Sequence, residues 1–138
     1  MKLNTIDKVK LINLKAINHS DANLNIFENV NNFFKIKRIF TIEINKFNKN
    51  NRGMHAHKRD QQIVTCPYGE IEFIVKDGLK KKKFIIKDRK KAIFVPKHIW
   101  TETNYKKKNT IVTCYCSHNY NELSYIRDYK EYLKFRKL

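Results

Sequence analysis

The chain has 138 residues, of which 41% are hydrophobic and 12% aromatic, so it is long enough for one domain with a core and is not disordered by composition. Its apolar runs are short, as at residues 71–75, and none is long enough to span a membrane as a helix. The formal net charge of +17 favours an anionic partner but does not choose between nucleic acid, an acidic membrane surface and a phosphorylated small molecule. We expect a single domain over residues 1–138. Because residues 1–4 lack a secretory apolar stretch, we also expect the protein in the cytoplasm.

Alternating apolar residues predict β-strands along most of the chain. In the first such stretch, residues 34–44, one face is predicted to carry six side chains: Phe34, Ile36, Arg38, Phe40, Ile42 and Ile44. The next two strands, residues 62–66 and 70–75, are separated by Pro67-Tyr68-Gly69, which predicts a hairpin.

Further strands follow a second turn signal, Asp77-Gly78, which places the four lysines at residues 80–83 at a solvated loop tip. We expect these strands at residues 83–87, 92–95 and 110–116. Short strands at near-regular spacing are typical of an antiparallel sandwich or barrel, so the predicted fold class is all-β.

The end of the chain changes to helical spacing. Between residues 120 and 138 the apolar side chains that set this spacing are Leu123, Ile126, Tyr129, Tyr132 and Leu133. Asn119 or Asn121 is a suitable N-cap, and Tyr125 and Arg127 would then open the helix. We therefore expect one C-terminal helix packed on or beside the β-structure.

The three cysteines do not form a pattern that predicts a function. Cys114 and Cys116 have the spacing of neighbours on one face of a strand, and Cys66 stands apart. A single Cys-x-Cys pair is weak support for a metal site, because zinc sites need further cysteine or histidine ligands. We expect all three to be small buried side chains in a reducing compartment.

The most informative segment contains two histidines, His55 and His57. If it is extended, both imidazoles project from one face of a strand and Ala56 from the other. Two imidazoles in one cavity suit either metal binding or acid–base chemistry near neutral pH. The alternative is an exposed loop with two unrelated histidines.

Gly53 followed by His-x-His resembles the first motif of the cupins, and residues 96–101 would hold the second motif. Metal-binding cupins add a Glu after the paired histidines and a further His in the second motif, where this chain has Gln62 (preceded by Gln61) and Thr101. Two of the four ligands are therefore missing, and we expect no metal. His98 and Glu102 are the nearby residues that could replace them.

An ordered set of motifs resembles the sugar 3,4-ketoisomerase family. The set begins with residues 34–38 and continues with Arg52-Gly53-x-His55-Ala56-His57-Lys58, Gln62, Cys66-x-x-Gly69, Asp77-Gly78, Pro96-x-x-x-Trp100-x-Glu102 and Tyr125-Ile126-Arg127-Asp128-Tyr129. The chain departs from the family at three places, where Tyr, His and Asp are common and it has Phe40, Thr101 and Ser124. These departures concern the proton relay and the configuration at C4, and leave the reaction type unchanged.

This resemblance implies a cupin double-stranded β-helix (jelly roll) with a short C-terminal helix, assembled as a homodimer. It also implies an isomerase that moves the ketone of thymidine diphosphate-linked (dTDP-linked) 4-keto-6-deoxyglucose from C4 to C3, ahead of an aminotransferase that makes 3-amino sugars for surface glycans. No cofactor is expected, since the reaction is a proton transfer and the chain has no glycine-rich dinucleotide loop.

The chemistry suggests a role for each candidate residue. We assign the catalytic base to His55 and a supporting proton shuttle to His57, although the reverse assignment is nearly as good. Donors for the enediolate would be Gln62 and a protonated His57. Two arginines, Arg38 and Arg52, suit the diphosphate, because a guanidinium meets phosphate oxygens in pairs. The remaining candidates for the wall of the same cavity are Trp100 and Glu102.

Three other functions remain open from the residues. A related cupin epimerase would also abstract a proton beside a ketone. A nucleic-acid-binding β-barrel would explain the charge and the aromatic residues, but leaves the paired histidines unexplained, so we expect neither nucleic acid nor a membrane as a partner. A metal-dependent cupin oxygenase would need ligands beyond His55 and His57.

Overall fold

The computed structural model describes residues 1–46 and 52–138 and shows two five-stranded antiparallel sheets that face each other. The strands of the described ranges are β1 (Lys10–Asn13), β2 (Lys15–Asn18), β3 (Asn23–Ile26), β4 (Arg38–Glu43), β5 (Arg52–His57), β6 (Gln62–Tyr68), β7 (Ile71–Lys76), β8 (Lys81–Ile86), β9 (Lys91–Val95), β10 (Trp100–Tyr105), β11 (Ile111–Cys116) and β12 (Tyr125–Ile126). One α-helix, α1 (Tyr129–Phe135), follows them.

The strand order shows how the chain winds between the sheets. The first sheet has the order β1-β9-β6-β11-β4, and the second has the order β12-β5-β10-β7-β8. Most neighbours are far apart in sequence, because the chain crosses from sheet to sheet. This confirms the predicted all-β jelly roll of the cupin type with a short C-terminal helix. Strands β2 and β3 form a separate two-stranded hairpin.

The main core lies between the two sheets. It is formed by alternate residues of both inner faces, including Val64 of β6, Phe73 of β7 and Cys114 of β11. The three cysteines are free and buried, as predicted. Burial raises the pKa of the Cys66 and Cys116 thiols to about 11, so both stay protonated at neutral pH.

Each sheet also has a covered outer face. Helix α1 packs its Tyr132 against Ala56, Trp100 and Ile126 on the outer face of the second sheet. On the outer face of the first sheet lies a cluster around Phe34. Among the described helices, none is long and apolar enough to cross a membrane.

The predicted strand at residues 34–44 is shorter than expected, because β4 begins only at Arg38. From Arg38 onward the predicted alternation holds, and Phe40 and Ile42 pack against the main core. Phe34 and Ile36 do not share this face, since they precede the strand and pack against the outer cluster. The apolar spacing is the same before and after Arg38, so it does not show that the chain changes direction there.

The predicted hairpin around Pro67 is wrong, because β6 and β7 belong to different sheets. β6 pairs with β9 and β11, whereas β7 pairs with β8 and β10. The chain crosses at Gly69, whose φ of 90° favours glycine, and a Cβ there would lie 2.7 Å from the Thr110 Cα. Two strands joined by a short turn look alike in sequence whether they pair or change sheets.

The second predicted turn, Asp77-Gly78, is confirmed and joins β7 to β8. The Asp77 carboxylate accepts hydrogen bonds from the backbone N–H groups of Leu79 and Lys80, at 3.0 and 2.8 Å. However, Lys81–Ile86 is a strand at the edge of the second sheet. Three of the four lysines therefore lie on a strand, where charged side chains also discourage pairing with other chains.

The C-terminal helix begins later than its apolar spacing predicts. Its N-cap is Asp128, whose carboxylate accepts from the Glu131 backbone N–H at 2.9 Å. Asn121 instead caps a short 3-10 turn, Glu122–Ser124. Tyr125 and Arg127 therefore do not open the helix, and Tyr125 belongs to β12. Pairing with β5 overrides the local helical spacing here.

Candidate active site

The paired histidines lie on β5, which is shaped by a bulge at Gly53. The register between β5 and β10 shifts there, so His55 lies opposite Thr101 and Arg52 opposite Thr103. Gly53 has a φ of 64°, which favours glycine. The Thr101 hydroxyl donates to the backbone carbonyls of Gly53 and His55, at 3.1 and 3.3 Å. Thr101 thus holds the backbone that carries the first histidine.

The two imidazoles lie side by side on the inner face of the second sheet, as predicted from their spacing, and the space that they border with Arg38 and Tyr125 is the histidine hollow. The Nε2 atoms of His55 and His57 lie 3.0 Å apart, and the ring planes cross at 84°. Ala56 points to the other side of the sheet, where it is fully buried under helix α1. At this distance one ring donates an N–H to the other, so a proton can pass between them.

Both histidines are held neutral at neutral pH. Burial, followed by the positive charge of Arg127, lowers the pKa of His55 to about 4. Burial, the neighbouring His55 and the charge of Arg38 lower the pKa of His57 to about 2. His57 is therefore not the protonated donor that the sequence suggested, although a neutral imidazole still offers one N–H.

Tyr125 joins the two histidines to the opposite sheet. It pairs with His57 in the β12–β5 ladder, and its ring centroid lies 4.4 Å from that of His57 and 5.1 Å from that of His55. The Tyr125 hydroxyl oxygen lies 3.4 Å from the Arg38 Nη2 of β4 and accepts from it. The Arg127 guanidinium stacks 4.4 Å from the centre of the Tyr125 ring.

Arg38 enters the hollow from the first sheet, as its predicted inward direction requires. Its guanidinium pairs with Asp60 at 3.1 Å and lies 5.2 Å from the centre of the Phe40 ring. Burial alone would lower the pKa of Arg38, but hydrogen bonds with Tyr125 and Cys116 raise it above its ordinary value. A permanent cation therefore faces the histidines across the hollow.

A buried carboxylate, Asp60, organises this wall. One oxygen accepts from Arg38 Nη2 at 3.1 Å and from Gln62 Nε2 at 3.3 Å. The other accepts from the Ser117 hydroxyl at 3.1 Å and from the His118 backbone N–H at 3.0 Å. Asp60 is only 4% exposed, so its charge is neutralised by these partners and not by water. Gln62, predicted as a donor to the enediolate, thereby lies beside Arg38.

Trp100 and Glu102 do not line the hollow. Trp100 lies opposite Ala56 in the ladder and packs under Tyr132 of helix α1, on the outer face of the second sheet. Its indole N–H donates to Glu102, which also pairs with Lys76 at 2.6 Å. Their predicted place in the histidine cavity is therefore wrong, since strand alternation turns both away from it.

Arg52 lies at the start of β5, opposite Thr103, and is exposed. Burial raises the pKa of Tyr105, a residue of the main core, to about 12, and the nearby charge of Arg52 opposes this rise. Arg52 thus lies farther along the inner face than His55, and the structure does not bring it into contact with the histidine pair.

The residues that could have completed a metal site are engaged elsewhere. His98 is buried against Phe135 of helix α1, and Glu102 forms its ion pair on the outer face. Within residues 1–46 and 52–138, no group of three or more histidine, cysteine, aspartate or glutamate side chains is arranged to hold a metal ion.

Sequence reasoning did not identify Asp60, Cys116 or Tyr125 as parts of this site. Cys116 places its sulfur 3.5 Å from both Arg38 Nη2 and Gln62 Nε2. Asp60 lies in the same segment as the histidines. Because a predicted inward-facing arginine needs an acidic partner, this residue could have been predicted to pair with Arg38. Tyr125 lies in the last motif of the resemblance, but its apparent helical spacing predicts only a packing role.

Known proteins similar to this chain include sugar ketoisomerases. Residues 7–137 match the FdtA family, described as WxcM-like, C-terminal. A TDP-4-oxo-6-deoxy-alpha-D-glucose-3,4-oxoisomerase from Aneurinibacillus thermoaerophilus is 32% identical over 127 residues, which cover 91% of each chain.

Solved structures agree with this match. A 3,4-ketoisomerase from Helicobacter canadensis has a TM-score of 0.87 and 31% identity, covering 94% of this chain and 98% of that one. The sugar 3,4-ketoisomerase QdtA from Thermoanaerobacterium thermosaccharolyticum, solved with TDP, has a TM-score of 0.85 and 27% identity, covering 94% of each chain. The paired histidines therefore sit in a jelly roll shared with sugar ketoisomerases, and the chain belongs to the FdtA family.

Proposed function

We propose that this protein converts dTDP-4-keto-6-deoxyglucose into its 3-keto isomer. The observation that carries the proposal is the pair of neutral imidazoles, 3.0 Å apart, facing a fixed arginine across one hollow. Two buried nitrogens of this hollow, His57 Nδ1 and Arg38 Nε, have no hydrogen-bond partner within the described residues. Buried polar groups without partners are costly, and such groups are retained mostly at functional sites.

The proposed reaction needs a base for the proton on C3, which the C4 ketone acidifies. His55 is less buried than His57 and is neutral, so it is the better base. His55 takes the C3 proton, an enediolate forms, and the same proton or one from water is delivered to C4. His57 supports this step by sharing the proton through the contact between the two rings.

The charge of Arg38 lies close to the reacting carbons in this proposal. Its contact with Tyr125 places the guanidinium next to the histidines, so it stabilises the enediolate more directly than the diphosphate. Gln62, which shares Asp60 with Arg38, offers a second donor on the same side. Exposed Arg52 remains a candidate for the diphosphate.

The test is turnover of dTDP-4-keto-6-deoxyglucose in heavy water. We expect the 3-keto product with deuterium at C4, detected by NMR. His55→Asn should lower kcat by at least about 100-fold, since it removes the base and keeps a similar shape. The matched control is His19→Asn, at an exposed position of the β2–β3 turn, which should retain full activity.

Three results would contradict the proposal. The first is wild-type protein that gives neither exchange nor the 3-keto product. The second is His55→Asn with wild-type activity. The third is an inverted ring centre with the ketone still at C4, which would identify an epimerase instead.

We also propose that the protein is a cytoplasmic homodimer with one domain, residues 1–138, in each subunit, serving surface-glycan synthesis. In the described part of the chain, the β2–β3 hairpin pairs only within itself and exposes Ile17 and Leu24. A lone two-stranded sheet is marginal in water, so a second copy covering it would stabilise it. The three free cysteines suit a reducing compartment. Analytical ultracentrifugation of the wild-type protein should show a dimer, and Leu24→Lys should weaken its association. A monomeric wild-type protein would contradict the proposed homodimer.

A further inference from the structure

The proposed isomerisation requires two proton transfers, and the histidine pair accounts for one. A proton must move from C3 to C4, and a second must move from the oxygen on C3 to the oxygen on C4. The second transfer needs a group that both donates and accepts near a stabilising cation. A phenol meets this requirement, because its hydroxyl can give one proton and take back another.

Tyr125 is the phenol that the fold places at this point. Its ring touches both His55 and His57, and its hydroxyl faces Arg38 Nη2 at 3.4 Å. Strand β12 is anchored to β5 by pairing with His57 and Ala56, which fixes the ring beside the histidines. The long contact to Arg38 leaves the hydroxyl free to donate its proton to a ligand in the hollow.

The neighbouring aromatic residues are less suited to this role. The Tyr120 hydroxyl already donates to Glu122 at the surface, where Tyr120 is 60% exposed. Phe40 lies beside Arg38 but carries no hydroxyl. Tyr115 points to the outer face of the first sheet, towards Phe27, and cannot reach the histidines.

We infer that Tyr125 is a catalytic residue that carries a proton from the C3 oxygen to the C4 oxygen, an inference that rests on the proposed function. As His55 removes the C3 proton, the Tyr125 hydroxyl protonates the C4 oxygen, and a phenolate faces Arg38. The phenolate then takes the proton of the C3 hydroxyl. The C3 carbonyl forms, the electron pair of the C3–C4 double bond takes a proton from His55 at C4, and both side chains return to their starting states.

Arg38 makes this cycle feasible because it stabilises the transient phenolate. It is fixed by Asp60 on one side and by its contact with Tyr125 on the other, so no rearrangement is needed when charge appears. Arg127 stacks on the Tyr125 ring as well, but its charge is paired with Glu122, so Arg38 is the main stabilising cation.

The test variant is Tyr125→Phe, which keeps the ring beside the histidines and removes only the hydroxyl. We expect kcat to fall by about 100-fold or more, with KM and the affinity for TDP within about threefold of wild type. Deuterium exchange at C3 of the recovered substrate should fall less than product formation, because His55 can still remove the C3 proton while Arg38 stabilises the enediolate. A merely structural role would lower exchange and turnover together.

The matched control is Tyr115→Phe, which loses the same hydroxyl on the outer face and should keep wild-type kcat. A second form of the enzyme carries 3-fluorotyrosine at position 125, whose phenol is more acidic. The alkaline limb of its kcat profile should then move to lower pH. Tyr125→Phe with wild-type kcat, or an alkaline limb that does not move, would overturn the inference. Turnover by the wild-type protein would leave the proposed function intact in either case.

Discussion

Burial decides the protonation state of the two histidines, and this makes the activity depend on pH in an unusual range. The proposed base, His55, works only while it is neutral, and burial lowers its pKa to about 4. We therefore expect kcat/KM to stay constant as pH falls from 8 to 6 and to be lost only near pH 4. An ordinary histidine base would lose activity near pH 6.5. Initial rates from pH 3.5 to 8 measure this limb.

Stability must be measured beside these rates, because the same shifts destabilise the fold in acid. Both histidines have folded pKa values below the unfolded value of 6.5, so the unfolded chain takes up protons first. Their contribution to stability is complete above pH 6.5 and is lost as pH falls towards 4. Circular dichroism at each pH separates unfolding from titration of the base. An acid limb near pH 6.5 in folded protein would contradict this assignment.

Asp60 holds the arginine side of the site, and its replacement should affect both stability and catalysis. Asp60→Asn keeps an acceptor for Ser117 but turns an NH₂ group towards the donors of Arg38 and Gln62. The free energy of unfolding should fall by about 2–4 kcal/mol, because the buried donors around Asp60 and the half-buried Arg38 lose their partner. Urea denaturation measures this loss, and kcat should fall with it as Arg38 becomes less fixed.

A matched substitution separates the buried carboxylate from an exposed one. Asp88 is exposed and accepts from the Lys90 backbone N–H in the turn before β9. Asp88→Asn should change the free energy of unfolding by less than about 0.5 kcal/mol and leave kcat unchanged. Equal effects of the two substitutions would show that Asp60 has no special role in the site.

The two faces of the second sheet have different roles. The inner face presents the histidines, and the outer face packs against helix α1 through Trp100 and Tyr132. Trp100→Leu should therefore lower the free energy of unfolding by about 2–4 kcal/mol, since Trp100 is only 2% exposed. KM for the nucleotide sugar should stay within about twofold of wild type. Thermal denaturation and steady-state kinetics measure the two effects.

The opposite result for Trp100 would be informative. A large rise in KM with little change in the free energy of unfolding would show that Trp100 contributes to substrate binding. Its ladder partner provides the control, because Ala56→Gly removes one buried methyl from the same cluster without approaching the hollow. That variant should lose about 1 kcal/mol of stability and keep its KM.

The same sheet shows what could be predicted from the sequence. Alternation within β5 was sufficient to place His55 and His57 on one face, because side-chain direction in a strand has a period of two. Alternation within β10 was equally clear, but it cannot say which face of β10 matches which face of β5. The register that sets Trp100 opposite Ala56 comes from pairing between distant strands, together with the bulge at Gly53. Long-range pairing also explains the missed sheet crossing at Gly69 and the strand at Tyr125.

For the whole molecule, the positive charge is spread over both ends of the jelly roll. The histidine hollow lies at the start of β6, near Gln62, whereas a cleft of about 820 Å³ lies at the far end of β6. Five cations line this cleft: Lys87, Arg89, Lys90, Lys107 and Lys108. The net charge of +17 is therefore not a property of the catalytic end alone.

This separation predicts that nucleic acid binds weakly and away from the reaction. A short oligonucleotide should bind without sequence preference, and its affinity should fall by about 100-fold between 50 and 200 mM salt if four phosphates are contacted. It should not compete with the nucleotide sugar. Replacing Lys107 and Lys108 with Gln should reduce the salt slope by about 2 and leave kcat/KM unchanged. Fluorescence anisotropy and inhibition kinetics measure both, and competitive inhibition by the oligonucleotide would show that the charge serves the histidine hollow instead.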